Sequence, residues 1–165
     1  LFAHQQIDDG DGQHDAERVG HFVEVSKKNP EAIICAYPEY DESAPKHRVN
    51  GRTIANAWIH TVTLSKQIKD GMIGFRIYPV APYVKLLNSH VIIDARMGYD
   101  IDILVRLFWK NVPVICESVK VTYPVDGVSN FRLVRDNARI SLTYARLFLG
   151  MIVRLPILIY RKIKG

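Results

Sequence analysis

An α/β fold is predicted for this 165-residue chain. Helical and strand-like periods alternate along it, which is the pattern of helices packed on a sheet. Breakers at Asn29-Pro30 and Asp70-Gly71 punctuate the periods. Hydrophobic residues at 48% and charged residues at 24% fit a folded domain with a core and exclude a disordered chain.

The elements follow in order. Residues 1–7 end in Ile7 and read as the end of a strand, followed by a Gly/Asp-rich turn from Asp8 to Asp15. Ala16 to Lys28 is predicted helical, with Asp15 as N-cap and Val19, Phe22, Val23 and Ser26 on one side. Asn29-Pro30 ends it, and Ala32 to Tyr37 forms a short buried strand before a polar loop, Pro38 to Pro45. A long helix is predicted from His47 to Lys69, with Ile54, Trp58, Ile59, Val62 and Ser65 sharing a face. Gly74 to Tyr78 is strand-like, Tyr83 to Leu87 a short helix and Val91 to Ile93 a short strand. Tyr99 to Trp109 is an amphipathic helix, with Ile103, Leu104, Leu107 and Phe108 inward. Val112 to Thr122 is a strand, Pro124 to Asn130 a loop, and the chain is helical from Phe131 to near its end. Cys35 and Cys116 lie in apolar runs outside any metal-ligand spacing and read as buried thiols.

Charge divides the chain in two. Residues 132–165 hold eight basic residues and one acid, Asp136, a net +7 against a total of +5, so residues 1–131 carry −2. A body of that charge argues against nucleic acid as partner, because duplex binding needs a basic face on the body. A basic, apolar tail points instead to anionic lipid.

The acidic turn carries the first chemistry. Asp9 and Asp11, two residues apart after an apolar strand, can converge on one hard divalent cation, Mg²⁺ or Mn²⁺, and Gln13 can add an amide oxygen. Gly10 and Gly12 allow the tight turn. The competing reading is a surface Asx turn. A calcium EF-hand loop is excluded, because His14 and Gly20 occupy the positions that need Gly and Glu. Arg48 and Arg52, at i and i+4, can clamp a diphosphate or form a solvated helix face. Asp70, taken alone, reads as a helix-end cap. Asp100 and Asp102 offer a carboxylate for general-base chemistry, or simply a favourable helix start. On a helix they point about 200° apart, so at most one faces a cleft, and Asp100 is preferred.

The string D-x-D-G-Q-H-D after a strand end resembles the metal-binding motif of the family-2 glycosyltransferases, especially the dolichol-phosphate mannose synthase branch. Three further segments resemble that family in its order. P-K-H-R-V-N-G-R resembles a basic pair that holds phosphates, and D-G-M-I-G-F-R resembles a segment shaping the acceptor side. G-Y-D-I-D-I-L-V-R resembles the stretch that supplies the catalytic base. The loop from Tyr123 to Arg132 is similar to one that folds over the donor phosphates, with Asn130 where the family often has a base.

The resemblance implies a GT-A-type mixed sheet flanked by helices, and a metal-dependent inverting transfer of sugar from a nucleotide-sugar to a lipid-linked or polyprenyl-phosphate-type acceptor. It implies metal ligands Asp9, Asp11 and Gln13, and donor-diphosphate contacts from Arg48, Arg52, Ser129 and Arg132. The acceptor-side cleft falls on Asp70, Phe75 and Arg76, and the base on Asp100 or Asp102. It also implies that the family's N-terminal half, with its base and ribose contacts, is absent, so the chain alone is expected to be inactive.

Residues 1–131 are therefore expected to be the C-terminal part of a transferase domain, and 132–165 a basic amphipathic helix at the membrane interface. The tail's arginines fall within an arc of roughly 100° on a helical wheel, with apolar residues filling the rest. Arg139, Arg146, Phe148, Arg154 and Leu158 are expected to face the membrane; the competing reading is a core helix whose arginines face water, with Leu155 to Tyr160 docked on the body. The longest uncharged run, Leu147 to Val153, is short for a full span, and Pro156 is expected to kink the helix. Peripheral attachment at the cytoplasmic face of the inner membrane follows. The alternative reading is a non-catalytic membrane-surface module of the same descent.

Overall fold

The structure, a computed structural model, describes the backbone of residues 4–7, 17–40, 46–94, 98–121 and 133–164, and the side chains of 18–40, 49–94, 98–121 and 138–164. The elements are β1 (His4–Ile7), α1 (Glu17–Lys28), β2 (Ile33–Tyr40), α2 (Lys46–Thr63), β3 (Arg76–Pro79), α3 (Val80–Leu87), α4 (Tyr99–Trp109), β4 (Val114–Val121) and α5 (Leu133–Lys164). The strands form one mixed sheet in the order β1-β3-β2-β4. β3 runs antiparallel to both β1 and β2, and β2 runs parallel to β4.

Strand alternation gives the sheet two apolar faces. On one, Ile33, Cys35 and Tyr78 join a core with α2, α4 and α5. On the other, Ile34, Ala36, Phe75 and Ile77 pack with Phe22 of α1, whose ring lies 4.5 Å from that of Phe75. Burying both faces makes the sheet the middle layer of three. Tyr144, Leu147, Met151 and Leu158 bring α5 into the first core.

Several sequence expectations need correction. α2 ends at Thr63, not Lys69. Thr63 Oγ1 donates to Ile59 O at 2.7 Å, Leu64 turns to φ 52°, and Trp109 Nε1 donates to Val62 O at 2.9 Å. The last carbonyls are thus satisfied from outside and the helix stops. Ile54 and Trp58 are exposed, unlike Ile59 and Val62, which are buried.

β2 runs on through Pro38 to Tyr40, three residues past the expected strand end. Its pairing with β3 is confined to Ile34 and Cys35, while that with β4 continues to Tyr40. Pro38 therefore lacks an N–H only where no β3 partner requires one. Residues 91–94 form no strand. Their backbone is held by side chains: Arg106 Nη2 donates to Ile92 O at 3.2 Å, and the Asp94 N–H donates to Asp102 Oδ2 at 2.9 Å. Gly71 is demanded by packing, because a Cβ there would overlap the Ile59 side chain. α5 is continuous through Pro156.

Candidate functional site

β3 places Arg76 in the middle of the sheet, where it pairs in register with Ile7 of β1 on one side and Cys35 of β2 on the other. Its side chain is 1% exposed. Nη1 donates to the Asp100 carbonyl at 3.1 Å and to the Tyr78 hydroxyl at 3.3 Å. Nε and Nη2 have no hydrogen-bond partner among the described residues. Arginine stays protonated at neutral pH, so this is a buried cation with two unmatched donors.

Tyr78 and Cys35 do not supply a negative charge. Burial pushes the Tyr78 phenol up to about 12, against a partial pull downward from Arg76. Burial likewise pushes the Cys35 thiol up to about 12. Both are neutral at pH 7. The Tyr78 ring lies 5.5 Å from that of Tyr83, and the Tyr83 and Tyr99 hydroxyls are hydrogen-bonded to each other. Burial, then the Tyr99 hydroxyl, holds the Tyr83 phenol above its usual range. Arg76, Tyr78, Tyr83 and Tyr99 thus bring the start of α4 to the end of β3. Asp100, half-buried in the first turn of α4, adds the nearby carboxylate whose field reaches Arg76 and both of the first two phenols.

The other residues expected at the site divide sharply. Asp102 is 0% exposed and accepts from Arg106 Nε, from Arg146 Nη2 at 2.8 Å and from the Asp94 N–H. It fastens α4 to α5 and to residues 91–94, which corrects its candidacy as base: both oxygens are committed inside the protein. Asp70 is 2% exposed and is corrected from cleft residue to turn organiser. Its Oδ1 accepts the Met72 and Ile73 N–H groups at 2.8 and 2.9 Å, and its Oδ2 accepts Asn56 Nδ2 at 3.0 Å. Arg52 completes that cluster at 3.4 Å and lies over the Tyr40 ring at 5.9 Å. This half of the expected diphosphate clamp is therefore engaged with Asp70. Phe75 is 1% exposed in the core beside Phe22, which corrects its placement in a cleft.

On α5, Arg146 pairs with Asp102, Arg154 lies over the Trp109 ring at 4.7 Å, and Leu158 is 4% exposed. The expected outward orientation of Arg146, Arg154 and Leu158 is corrected: they lie along the seam with the body. Phe148 is partly exposed and Arg139 half-buried. By length and composition Ala138–Lys164 is apolar enough to cross a membrane, so the short uncharged run did not exclude that. Asp9, Asp11, Gln13, Ser129, Arg132 and the Arg48 side chain lie outside the described residues. Among the described residues, no cluster of His, Cys, Asp and Glu could hold a metal ion.

Sequence reasoning missed the three tyrosines. Their only signal was aromatic residues near the ends of short elements following Gly-Phe-Arg. It also missed the hydrogen bond from Thr143 Oγ1 to Asp94 Oδ2 at 2.5 Å, which no local pattern announces across 49 positions. No family model, curated protein or solved structure matches the chain.

Proposed function

We propose that this chain is the C-terminal part of a GT-A-type, family-2-like glycosyltransferase that handles a sugar-bearing diphosphate beside Arg76. Arg76 carries the reading. A fully buried guanidinium with two unmatched donors is costly to maintain and is relieved by an anionic oxygen. Its register partner Ile7 is the residue from which the Asp8–Asp15 string departs. The β1–β3 pairing thus sets Arg76 beside the strand end that precedes, in sequence, the carboxylates suited by type and spacing to Mg²⁺ or Mn²⁺.

Bound there, the divalent ion would neutralise charge on the departing diphosphate. Arg76 supplies fixed N–H donors in a buried setting, where they act most strongly. Asp100, half-buried in the first turn of α4 beside Arg76, is the carboxylate that would accept the acceptor hydroxyl's proton. The hydroxyl oxygen bonds to the anomeric carbon, and the bond to the diphosphate oxygen breaks. A lipid-linked acceptor and a peripheral place at a membrane accord with the exposed apolar residues of α5.

Titration of the chain with Mn²⁺ and a nucleoside diphosphate tests the reading. Heat that requires both, and that disappears in Asp11→Asn, is expected. Metal-independent heat, or heat unchanged in Asp11→Asn, removes the transferase reading. The exposed apolar face of α5 would then favour the second reading, a membrane-surface module without catalysis.

A further inference from the structure

We propose that α5 docks on an anionic bilayer through the side opposite its buried Tyr144, Leu147, Met151 and Leu158 stripe, with a basic groove at its C-terminal end receiving a lipid phosphate headgroup. This rests on the peripheral membrane reading and specifies its face and its lipid.

The orientation of α5 comes first. Tyr144, Leu147, Met151 and Leu158 are buried against the body, and Arg146, Arg154 and Arg161 are tied to Asp102, Trp109 and the Trp109 carbonyl. Turning these residues inward exposes another arc of the helix. Leu149, Ile152, Val153, Ile157 and Ile163 lie there, at 65, 47, 80, 56 and 81% exposure. With Phe148 and Ile159 at its edge they span an arc of roughly 180°, with Arg146, which is paired with Asp102, and Lys164 toward one margin. Trp58 of α2 widens the surface, since its ring lies 6.3 Å from that of Phe148 and is itself 43% exposed. A patch of this kind marks a partner or membrane surface. A helix with one side built into the body lies along that body, which suits the plane of an interface better than a span.

The groove identifies the occupant. It has a volume of about 1090 Å³ and lies between the C-terminal ends of α2, α4 and α5. Lys66, Arg161, Lys162 and Lys164 line it, and no carboxylate does among the described residues. Arg161 is engaged with the Trp109 carbonyl at 2.9 Å. Lys66, Lys162 and Lys164 make no ion pair among the described residues. Leu158 and Phe108 give the groove an apolar lining. Lys164 lies over the Tyr160 ring at 5.7 Å. Ammonium groups outside ion pairs over an apolar lining, beside an exposed apolar helix face, fit a phosphate with its acyl chains in the bilayer. A second copy of this chain would bring the same uncompensated positive charge to the contact, whereas an anionic leaflet neutralises it.

Co-sedimentation of the whole chain with vesicles tests this. Vesicles are of phosphatidylcholine alone, or of phosphatidylcholine mixed with phosphatidylglycerol. Binding to the mixed vesicles at least about 10-fold stronger than to neutral ones is expected. Lys66→Glu/Lys162→Glu should remove that preference, and Val153→Ser/Ile157→Ser should weaken binding to both vesicle types. Both pairs are exposed, and circular dichroism checks that the variants fold. Equal binding to the two vesicle types, or full binding by the lysine variant, overturns the headgroup site and leaves peripheral attachment standing. No binding to either vesicle type overturns both. Self-association abolished by the serine variant, without vesicle binding, assigns the face to a second copy and overturns the proposal.

Discussion

Two buried charges a short distance apart along the chain, Asp102 and Arg76, have opposite surroundings. Asp102 accepts from two arginines and a backbone N–H, and its partners come from α4, α5 and residues 91–94. Arg76 is equally buried, yet among the described residues only Nη1 is bonded, to a carbonyl and a neutral phenol. A buried ion whose partners are all in place holds elements together. A buried ion with donors to spare is prepared for something that arrives. The difference separates residues that maintain the fold from the one around which chemistry is proposed.

The largest expected effect breaks the satisfied member. Asp102→Ala leaves Arg106 and Arg146 without their carboxylate inside the protein, and should cost about 3–5 kcal/mol in a urea unfolding measurement. Asp100→Asn, by contrast, should cost clearly less stability than Asp102→Ala while lowering the proposed turnover by about 10²–10⁴-fold. Equal loss of stability in the two variants would erase the distinction between them.

Next in size is Asp70→Ala, which removes the acceptor of two N–H groups and the partner of Arg52, and should cost about 2–3 kcal/mol. Arg76→Met sharpens the comparison from the other side. Replacing an under-bonded buried cation by an apolar chain should change stability by less than about 1 kcal/mol, or raise it, while weakening metal-dependent diphosphate binding. A destabilisation as large as that of Asp102→Ala would make Arg76 structural.

The smallest effect is a null result in cysteine chemistry. Cys35 sits opposite Arg76 in the β2–β3 ladder, and the guanidinium charge alone would lower its pKa. Burial outweighs the cation and pushes the thiol up to about 12. A raised pKa keeps the thiol protonated as pH rises through neutrality. Native protein treated with iodoacetamide at about pH 8 should therefore leave Cys35 unmodified by mass spectrometry. The same should hold in Arg76→Met.

Much of the fold was legible because it is local. The period of apolar residues marked α4 to the residue, and the Asp70-Gly71 breaker lay close to the turn that Asp70 organises. Strand ends were less legible, because Pro38 is tolerated in β2 only through what β3 does not reach. Of the candidate site, Arg76 was singled out, but as one residue of a cleft rather than a buried cation. Burial is a property of neighbours far along the chain.

The sequence by itself determined the alternation of helix and strand, the net −2 body with its +7 tail, and the acidic string after an apolar strand. These follow from periodicity and charge, which are additive along a chain. Only the tertiary structure decided which way α5 turns. On a wheel, the arginines form one stripe with no preferred direction. Asp102 and Trp109 supply partners for Arg146 and Arg154, Tyr144, Leu147, Met151 and Leu158 pack on the body beside them, and Leu149, Ile152, Val153 and Ile157 are left exposed. The physical reason is that a side chain's direction is set by the partner it finds, and those partners lie some 40 residues away in sequence, beyond the reach of any local pattern.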